Sequence, residues 1–361
     1  MSERYLINDE GQHSLTDGIR ELITGAKKYV KISSFLMQDA SISKMLKELA
    51  SSGKIAVFLL SNKKDQETEE YKEDYSESMS LLSKGKNKSI GFDNHGKFLK
   101  ELYYSGVHVR LLDNLHAKFI IADGERGLVM SANLAHNSLN VNVETGIEIC
   151  GIDIKELEYI FDVMYNHADI VRFQGASRKD ITERVDNKLN PKAIERIEGG
   201  IRLTVSSSLP TNLDLCSVHS IYDTIIEIIN EAKLYVFIAT WHFKLNKKDS
   251  LCEFTKAISN AIRRGVRIYL YSNTDMICSS LKQSRSALKT LDNLGCISFG
   301  DHRNHSKCVL SESKGILFTA NIDSENGMTN GFEVGCIMSP KQRAMAEEHL
   351  RNLKNTITHV K

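Results

Sequence analysis

The sequence predicts an α/β protein built as two duplicated sandwich domains with mixed sheets, packed face to face about a pseudo-twofold axis. Three observations predict it: a whole unit is repeated, strand-like and helix-like spacings alternate within each unit, and each unit closes on a helix. AKKYVKISSF at 26–35 answers AKLYVFIATW at 232–241, and GKIAVFLLSN at 53–62 answers GVRIYLYSN at 265–273. SGVHVRLLDNLHAKF answers LGCISFGDHRNHSKC, and ETGIEI at 144–149 answers EVGCIM at 333–338. The order is the same in both halves, which marks duplication of a domain-sized unit rather than a short solenoid repeat.

Each element has a local cause. SLTDGIRELITGAKK carries Ile19, Leu22 and Ile23 at helical spacing, with Asp17 placed to cap it. A β-branched run follows, then a helix (SISKMLKELASSG in one unit, DSLCEFTKAISNAIRRG in the other) that stops at glycine. Another strand, a more polar segment and a helix lead to a cluster of strands. DIKELEYIFDVMYNHA, with Asp153 as cap, closes the first unit. SPKQRAMAEEHLRNLKN, with Ser339 as cap and Pro340 in the first turn, closes the second. The halves differ between Asn62 and Gly106, where KKDQETEEYKEDYSESMSLLSKGKNKS has only a short counterpart between Asn273 and Gly295. Its dense mixed charge reads as a solvated helix or mobile loop rather than a substrate-selecting lid. These divisions give a first domain over 1–175, a polar linker over 176–200 and a second domain over 201–361.

Composition narrows the function. The 361 residues are 41% hydrophobic and 26% charged, as in an ordinary globular protein. A formal net charge of +1 excludes coating of nucleic acid through bulk charge but leaves room for a local positive groove. No apolar run approaches the ~20 residues that span a bilayer. The polar start, MSERYLINDEGQH, has no apolar core of an export signal, so a cytoplasmic location is expected. The seven cysteines form no C-x-x-C pair, and Cys216, Cys252, Cys278, Cys296, Cys308 and Cys336 crowd the second half, several in strand-like runs. Reduced, buried thiols are the expectation. No metal-binding cluster stands out, so neither metal nor cofactor is expected.

Both strand clusters open on a histidine and a lysine two residues apart. In extended chain, residues i and i+2 project to the same side. His116 and Lys118 therefore point together, as do His305 and Lys307. A lysine is a point charge suited to a phosphate oxygen, and a histidine exchanges a proton or attacks near neutral pH. Asn133 and Asn321 are placed to donate amide hydrogens to the same anion, and Ser131 and Thr319, two residues earlier, to add hydroxyl contacts. Each imidazole also needs an acceptor for its second nitrogen. Glu144 stands at the same remove from His116 as Glu333 from His305, so pairing within each half is expected. Asp123, before a glycine, reads as a structural hairpin residue, and Glu312 holds the matching place. His136 and Arg303 are further candidates for phosphate contact; His302 reads as a loop residue and His242, in WHFK, as a packed or solvated one.

The two blocks resemble the paired His-x-Lys-x4-Asp motifs of the phospholipase D superfamily, over nearly the whole chain. The first is complete in His116, Lys118 and Asp123, followed by Ser131, Asn133 and Glu144. The second has His305, Lys307, Thr319, Asn321 and Glu333, but Glu312 replaces the aspartate and Thr319 arrives one residue early. Met130 and Phe318 stand where a glycine commonly precedes the serine. The resemblance implies two histidines on opposite sides of one phosphorus, one forming a phosphohistidine and the other protonating the leaving alcohol, then activating water. The lysines and asparagines would neutralise the phosphoryl oxygens without a metal. His116, with the intact motif, is expected as nucleophile and His305 as general acid.

Among the superfamily's activities, a cytoplasmic nuclease acting on DNA or RNA is the first expectation. HAKFIIADG with SANL resembles such domains in bacterial DNA-processing proteins, and no membrane segment or basic amphipathic helix is evident. The alternative is a phospholipase D or cardiolipin synthase-like phosphatidyl transferase. The near-zero net charge points to a protein partner subunit for avid nucleic-acid binding. One chain carries both half-sites, so a monomer with a pseudo-dimeric site is expected.

Overall fold

Apolar alternation and helical spacing become the expected strands and helices in a computed structural model that describes residues 3–62, 92–173, 181–183, 194, 198–205, 217–245, 251–273, 279–323 and 327–356. The charged stretch 63–89 lies outside these residues, and the expected linker is described only at 181–183, 194 and 198–200.

The first half begins with β1 (Tyr5–Asp9), β2 (Gln12–His13), α1 (Ser14–Gly25), β3 (Tyr29–Ser34), α2 (Ala40–Ser51) and β4 (Ala56–Asn62). It continues through α3 (Phe92–Tyr104), β5 (His108–Leu112), β6 (Phe119–Ala122), β7 (Arg126–Met130) and α4 (His136–Asn140). It ends with β8 (Glu144–Ile149), α5 (Ile152–His167), β9 (Asp169–Arg172) and β10 (Ile181–Glu183). The second half has β11 (Ile201–Val205), β12 (Val218–His219), α6 (Ser220–Glu231), β13 (Tyr235–Ala239), β14 (Phe243–Lys244) and α7 (Leu251–Arg263). Then come β15 (Arg267–Ser272), α8 (Ser279–Leu294), β16 (Ile297–Gly300), β17 (Cys308–Ser311) and β18 (Gly315–Phe318). β19 (Ile322–Asp323), β20 (Phe332–Ile337) and α9 (Pro340–Thr356) complete it.

The duplication is visible in strand order. The first sheet runs β10-β9-β5-β4-β3-β6-β7-β8-β1-β2, the second β12-β11-β20-β18-β17-β13-β15-β16. Read from opposite ends, the two share one eight-strand order, which β9 and β10 extend in the first. Both sheets are mixed: β3 pairs parallel with β4 but antiparallel with β6, and β13 repeats this with β15 and β17.

Strand alternation sorts the side chains into layers. Ile120 faces Leu15, Ile19 and Leu46 of α1 and α2, whereas its neighbours Phe119 and Ile121 face a core common to both halves. That core joins Val129 and Phe161 of the first half to Phe237, Leu310 and Val334 of the second. Helices α6 and α7 cover the outer face of the second sheet through Ile225, Ile228 and Ile258. The sheets therefore meet face to face with helices outside, and burial of this shared apolar surface holds the halves together.

The closing helices tie the halves further. Asp153 and Glu156 of α5 accept backbone N–H bonds from Gly200 (2.6 Å), Gly199 (2.8 Å) and Glu198 (2.7 Å). Gln342 of α9 donates to the Glu148 carbonyl at 2.7 Å. Asp153 thus binds across to the entry of β11 instead of capping α5, whose N-cap is Gly151, and Asp17 sits in the first turn of α1 behind His13. Ser339 does cap α9, accepting from Gln342 N while Gln342 returns a bond to Ser339 N at 2.9 Å, a reciprocal box.

Cys150, Cys296, Cys308 and Cys336 are free thiols, and burial pushes Cys296 and Cys308 up to about 12. Neither is a thiolate at neutral pH. Cys216, Cys278 and the Cys252 side chain lie outside the described residues. Among the described residues, no helix is long and apolar enough to cross a membrane.

Candidate active site

Each His-x-Lys segment runs just ahead of its strand, before β6 and before β17, and is threaded between the halves. The N–H groups of His116 and Ala117 donate to the Phe332 carbonyl at 3.0 and 2.9 Å, and Phe332 N–H returns a bond to Asn114. On the other side His305 N–H donates to the Val143 carbonyl at 2.9 Å, and Val143 N–H to Arg303. Glu144 directly follows Val143, and Glu333 directly follows Phe332. This pairing carries the carboxylate of one half to the imidazole of the other.

The expected partners are accordingly exchanged. His116 Nδ1 lies 2.6 Å from Glu333 Oε1 in an aligned hydrogen bond, and His305 Nδ1 lies 2.8 Å from Glu144 Oε1. Pairing within each half is corrected by this geometry. The inter-half bridges set each glutamate beside the opposite histidine.

Ser131 and Thr319 are corrected too. Ser131 Oγ donates to Glu144 Oε2 and accepts from Thr145 N at 2.9 Å. Thr319 Oγ1 donates to Glu333 Oε2 and accepts from Val334 N at 3.0 Å. Each hydroxyl spends its one proton on the glutamate, so it orients that carboxylate and has none to donate to a phosphate.

The lysines lie deeper than the histidines. Lys118 and Lys307 are 0% exposed, against 4% and 2% for His116 and His305. Lys118 Nζ donates to the His116 carbonyl at 2.6 Å, and Lys307 Nζ to the His305 carbonyl at 3.0 Å. Lys307 Nζ also lies 3.2 Å from His305 Nδ1, which therefore stands between a cationic donor and an anionic acceptor. The contact of His305 with Glu144 is an ion-pair approach without hydrogen-bond alignment, unlike that of His116 with Glu333. Asn133 Oδ1 accepts from Leu36 N at 3.4 Å, and Asn133 and Asn321 are both buried.

Asp123 and Glu312 stand apart from the imidazoles and do structural work, as the turn signal indicated. Asp123, at φ 56°, accepts from the backbone N–H of Lys27, Lys28 and Tyr29 at 2.8, 2.8 and 3.0 Å. Glu312 repeats this on Lys233 at 2.7 Å and, more loosely, on Leu234 and Tyr235 at 3.4 and 3.5 Å. Burial works against both charges, but the backbone donors outweigh it and hold both carboxyls below their usual range. The longer side chain keeps the structural role of the aspartate.

The remaining candidates have local polar partners. Arg303 reaches Asp9, Glu10 and Asp301, His302 is exposed beside Asp301, and His136 is exposed on α4. Sequence reading missed the aromatic supports, Phe35 with its ring 5.2 Å from His116 and Trp241 with its ring 5.9 Å from His305. The repeat itself contained that signal, because SSF aligns with ATW. It also missed His95, whose Nδ1 accepts from Met37 N at 3.1 Å, as Ser284 Oγ does from Phe243 N at 3.0 Å in the other half. Among the described residues, no group of three or more His, Cys, Asp or Glu is placed to hold a metal ion.

The fold and the paired His–Lys–Glu sets define a duplicated α/β protein in which each half brings a glutamate to the histidine of the other. Residues 19–165 match the family model described as a cardiolipin synthase, phospholipase D-like domain. No curated protein sequence matches the chain. Phosphatidylserine synthase from Haemophilus influenzae Rd KW20 is similar in structure, with TM-score 0.66 and 12% identity over 99% of this chain and 87% of that one. Polyphosphate kinase from Porphyromonas gingivalis has TM-score 0.56 and 12% identity over 98% of this chain, which spans 50% of that protein. Nuc from Salmonella typhimurium, a phospholipase D family member, has TM-score 0.37 and 16% identity over 48% of this chain and 99% of its own. The family match lies within the first half, and the fold of the phosphatidylserine synthase is shared along nearly the full chain.

Proposed function

We propose that this protein is a metal-independent phosphodiesterase acting on nucleic acid, with His116 as nucleophile and His305 as general acid and base. The carrying observation is the buried pair of cross-linked His–Glu couples beside two buried lysines. Formal charges of Lys118 and Lys307 cancel those of Glu144 and Glu333, so one protonated imidazole leaves a single positive charge, matching a phosphodiester's single negative one. With Nδ1 donating to Glu333, the lone pair of His116 sits on Nε2, the nitrogen assigned to attack. Attack forms the P–N bond as the P–O bond to the leaving alcohol breaks, and His305 gives that alcohol its proton. His305 Nδ1, between Lys307 and Glu144, suits a ring that must change protonation state twice per turnover. Water then attacks phosphorus, passes a proton to His305 and releases His116.

A second reading, a phosphatidyl transferase, is favoured by the family model's cardiolipin synthase description. The chemistry is the same, with an alcohol replacing water in the second step. Incubating the protein in excess EDTA with single-stranded DNA, duplex DNA, RNA, and phosphatidylcholine or phosphatidylglycerol vesicles separates the two. Strand cleavage is expected; headgroup release or exchange without strand cleavage would favour the transferase, and inactivity on all substrates would remove both.

A further inference from the structure

The two halves surround their histidines with different chemistry. Beside His116 stand Phe35, Leu36 and Ala135, a small apolar cluster. Their counterparts in the second half, by the repeat and by strand pairing, are Trp241, whose ring lies 5.9 Å from that of His305, then His242 and Asp323. His242 and Asp323 are 2% and 3% exposed, with His242 Nε2 3.2 Å from Asp323 Oδ2. In the tautomer whose Nε2–H donates to Asp323 Oδ2, the lone pair lies on His242 Nδ1. That nitrogen has no hydrogen-bond partner among the described residues, nor has Trp241 Nε1 or Asn321 Oδ1. All three side chains are buried; the Trp241 and His242 rings lie 4.9 Å apart, and pairing of β14 with β19 and the bond from Ile322 N to Thr240 Oγ1 at 3.2 Å bring the segment after Asn321 alongside theirs. A buried polar atom left unsatisfied costs about 1–3 kcal/mol, so three together point to a polar occupant.

We infer that Trp241, His242 and Asn321 form a subsite for a hydroxyl-bearing alcohol on the His305 side, with Asp323 positioning His242. The inference rests on the two-histidine reading above. Trp241 Nε1–H donates to a hydroxyl oxygen, while His242 Nδ1 accepts a hydroxyl proton. The leaving alcohol occupies this place in the first step, and by microscopic reversibility an entering alcohol occupies it in the second. On entry, the alcohol oxygen bonds to phosphorus as the P–N bond to His116 breaks, and its proton passes to His305. The apolar trio beside His116 offers no such hydrogen bonds.

The test is interception of the phosphoenzyme by alcohols. The full chain is given bis-p-nitrophenyl phosphate in EDTA with equal concentrations of glycerol, thymidine or 1-propanol, and the ratio of alcoholysis to hydrolysis is read by mass spectrometry. That ratio is internal to each variant, so it does not depend on how much total turnover the variant retains. In the wild type, glycerol or thymidine is expected to exceed 1-propanol about tenfold, the value of one hydrogen bond. Which of the two wins identifies a lipid headgroup or a nucleoside as the source of the alcohol. His242→Leu is expected to bring the preference to about one, and His242→Asn, which keeps a polar atom near the Nδ1 position, to restore part of it. An unchanged preference in His242→Leu, or none in the wild type, overturns the subsite and leaves the two-histidine reading standing. Failure of the wild type to release p-nitrophenol overturns that reading and the subsite with it.

Discussion

The two halves of this molecule repeat one strand order but not one set of supports. Each supplies a histidine, a buried lysine, an asparagine and a glutamate held by a hydroxyl. Yet the imidazole of the first half has an aligned carboxylate and an apolar flank, while that of the second has a misaligned carboxylate, a close ammonium and a polar flank. What was duplicated is the scaffold and the charge set; what diverged is the immediate setting of each ring. The proposed division of the two reaction steps between the motifs rests on this difference.

Removing either ring is the largest way to break the comparison. His116→Ala and His305→Ala are each expected to lower phosphodiester turnover about 10³-fold or more, measured as strand cleavage or p-nitrophenol release. Rapid denaturation at alkaline pH, where the P–N bond of a phosphohistidine survives, should trap a covalent phosphoenzyme in His305→Ala and none in His116→Ala. The reverse pattern exchanges the two roles.

Exchange of the carboxylates between halves makes the next prediction, about 10²-fold. Glu333→Gln is expected to slow formation of the phosphoenzyme, because it disturbs His116. Glu144→Gln is expected to spare that step for a p-nitrophenyl ester, whose leaving group needs no proton, and to slow hydrolysis of the intermediate. Burst kinetics distinguish the two steps. The opposite assignment would mean that each glutamate serves its own half.

A smaller effect tests the seam. Gly331 has φ +89°, and a Cβ there would lie 2.8 Å from the Asn114 carbonyl oxygen of the other half. Gly265, at φ +88°, has nothing within 4 Å. Gly331→Ala should lower stability by about 1–3 kcal/mol more than Gly265→Ala in chemical denaturation, the excess being the inter-half clash. Equal losses would mean that backbone strain alone is measured.

The smallest effect compares the two turn carboxylates. Asp123→Asn should cost about 1–2 kcal/mol and Glu312→Gln less, since two of the three Glu312 contacts are long. Both carboxyls are held below their usual range, so their stabilisation is full above the unfolded-state value near 4 and fades as pH falls through the folded-state value. Urea melts of wild type and variants should therefore differ at pH 7 and draw together as pH falls through the folded-state values of these carboxyls.

Much of the architecture was legible because its causes are local or repeated. Ile19, Leu22 and Ile23 announce a helix by spacing, the HAKFII and HSKCVL runs announce paired strands, and Asp123 before Gly124 announces a turn. The candidate site residues stood out for the same reason, since two copies of one pattern are far rarer than one. Partner choice was not. Glu144 and Glu333 are equally spaced from their own histidines, and nothing in that spacing says which imidazole each will meet.

By itself the sequence determined the duplicated α/β plan, the four charged residues and two imidazoles of the site, and the turn role of Asp123, all matters of short-range periodicity and residue chemistry. Only the tertiary structure decided that the carboxylates cross to the opposite half, that Ser131 and Thr319 hold them, and that His242 meets Asp323. Those contacts arise where Phe332 bonds to the segment before β6 and Val143 to the segment before β17. Such bridges join positions far apart in the chain, and their register follows from how two sheets bury one shared core.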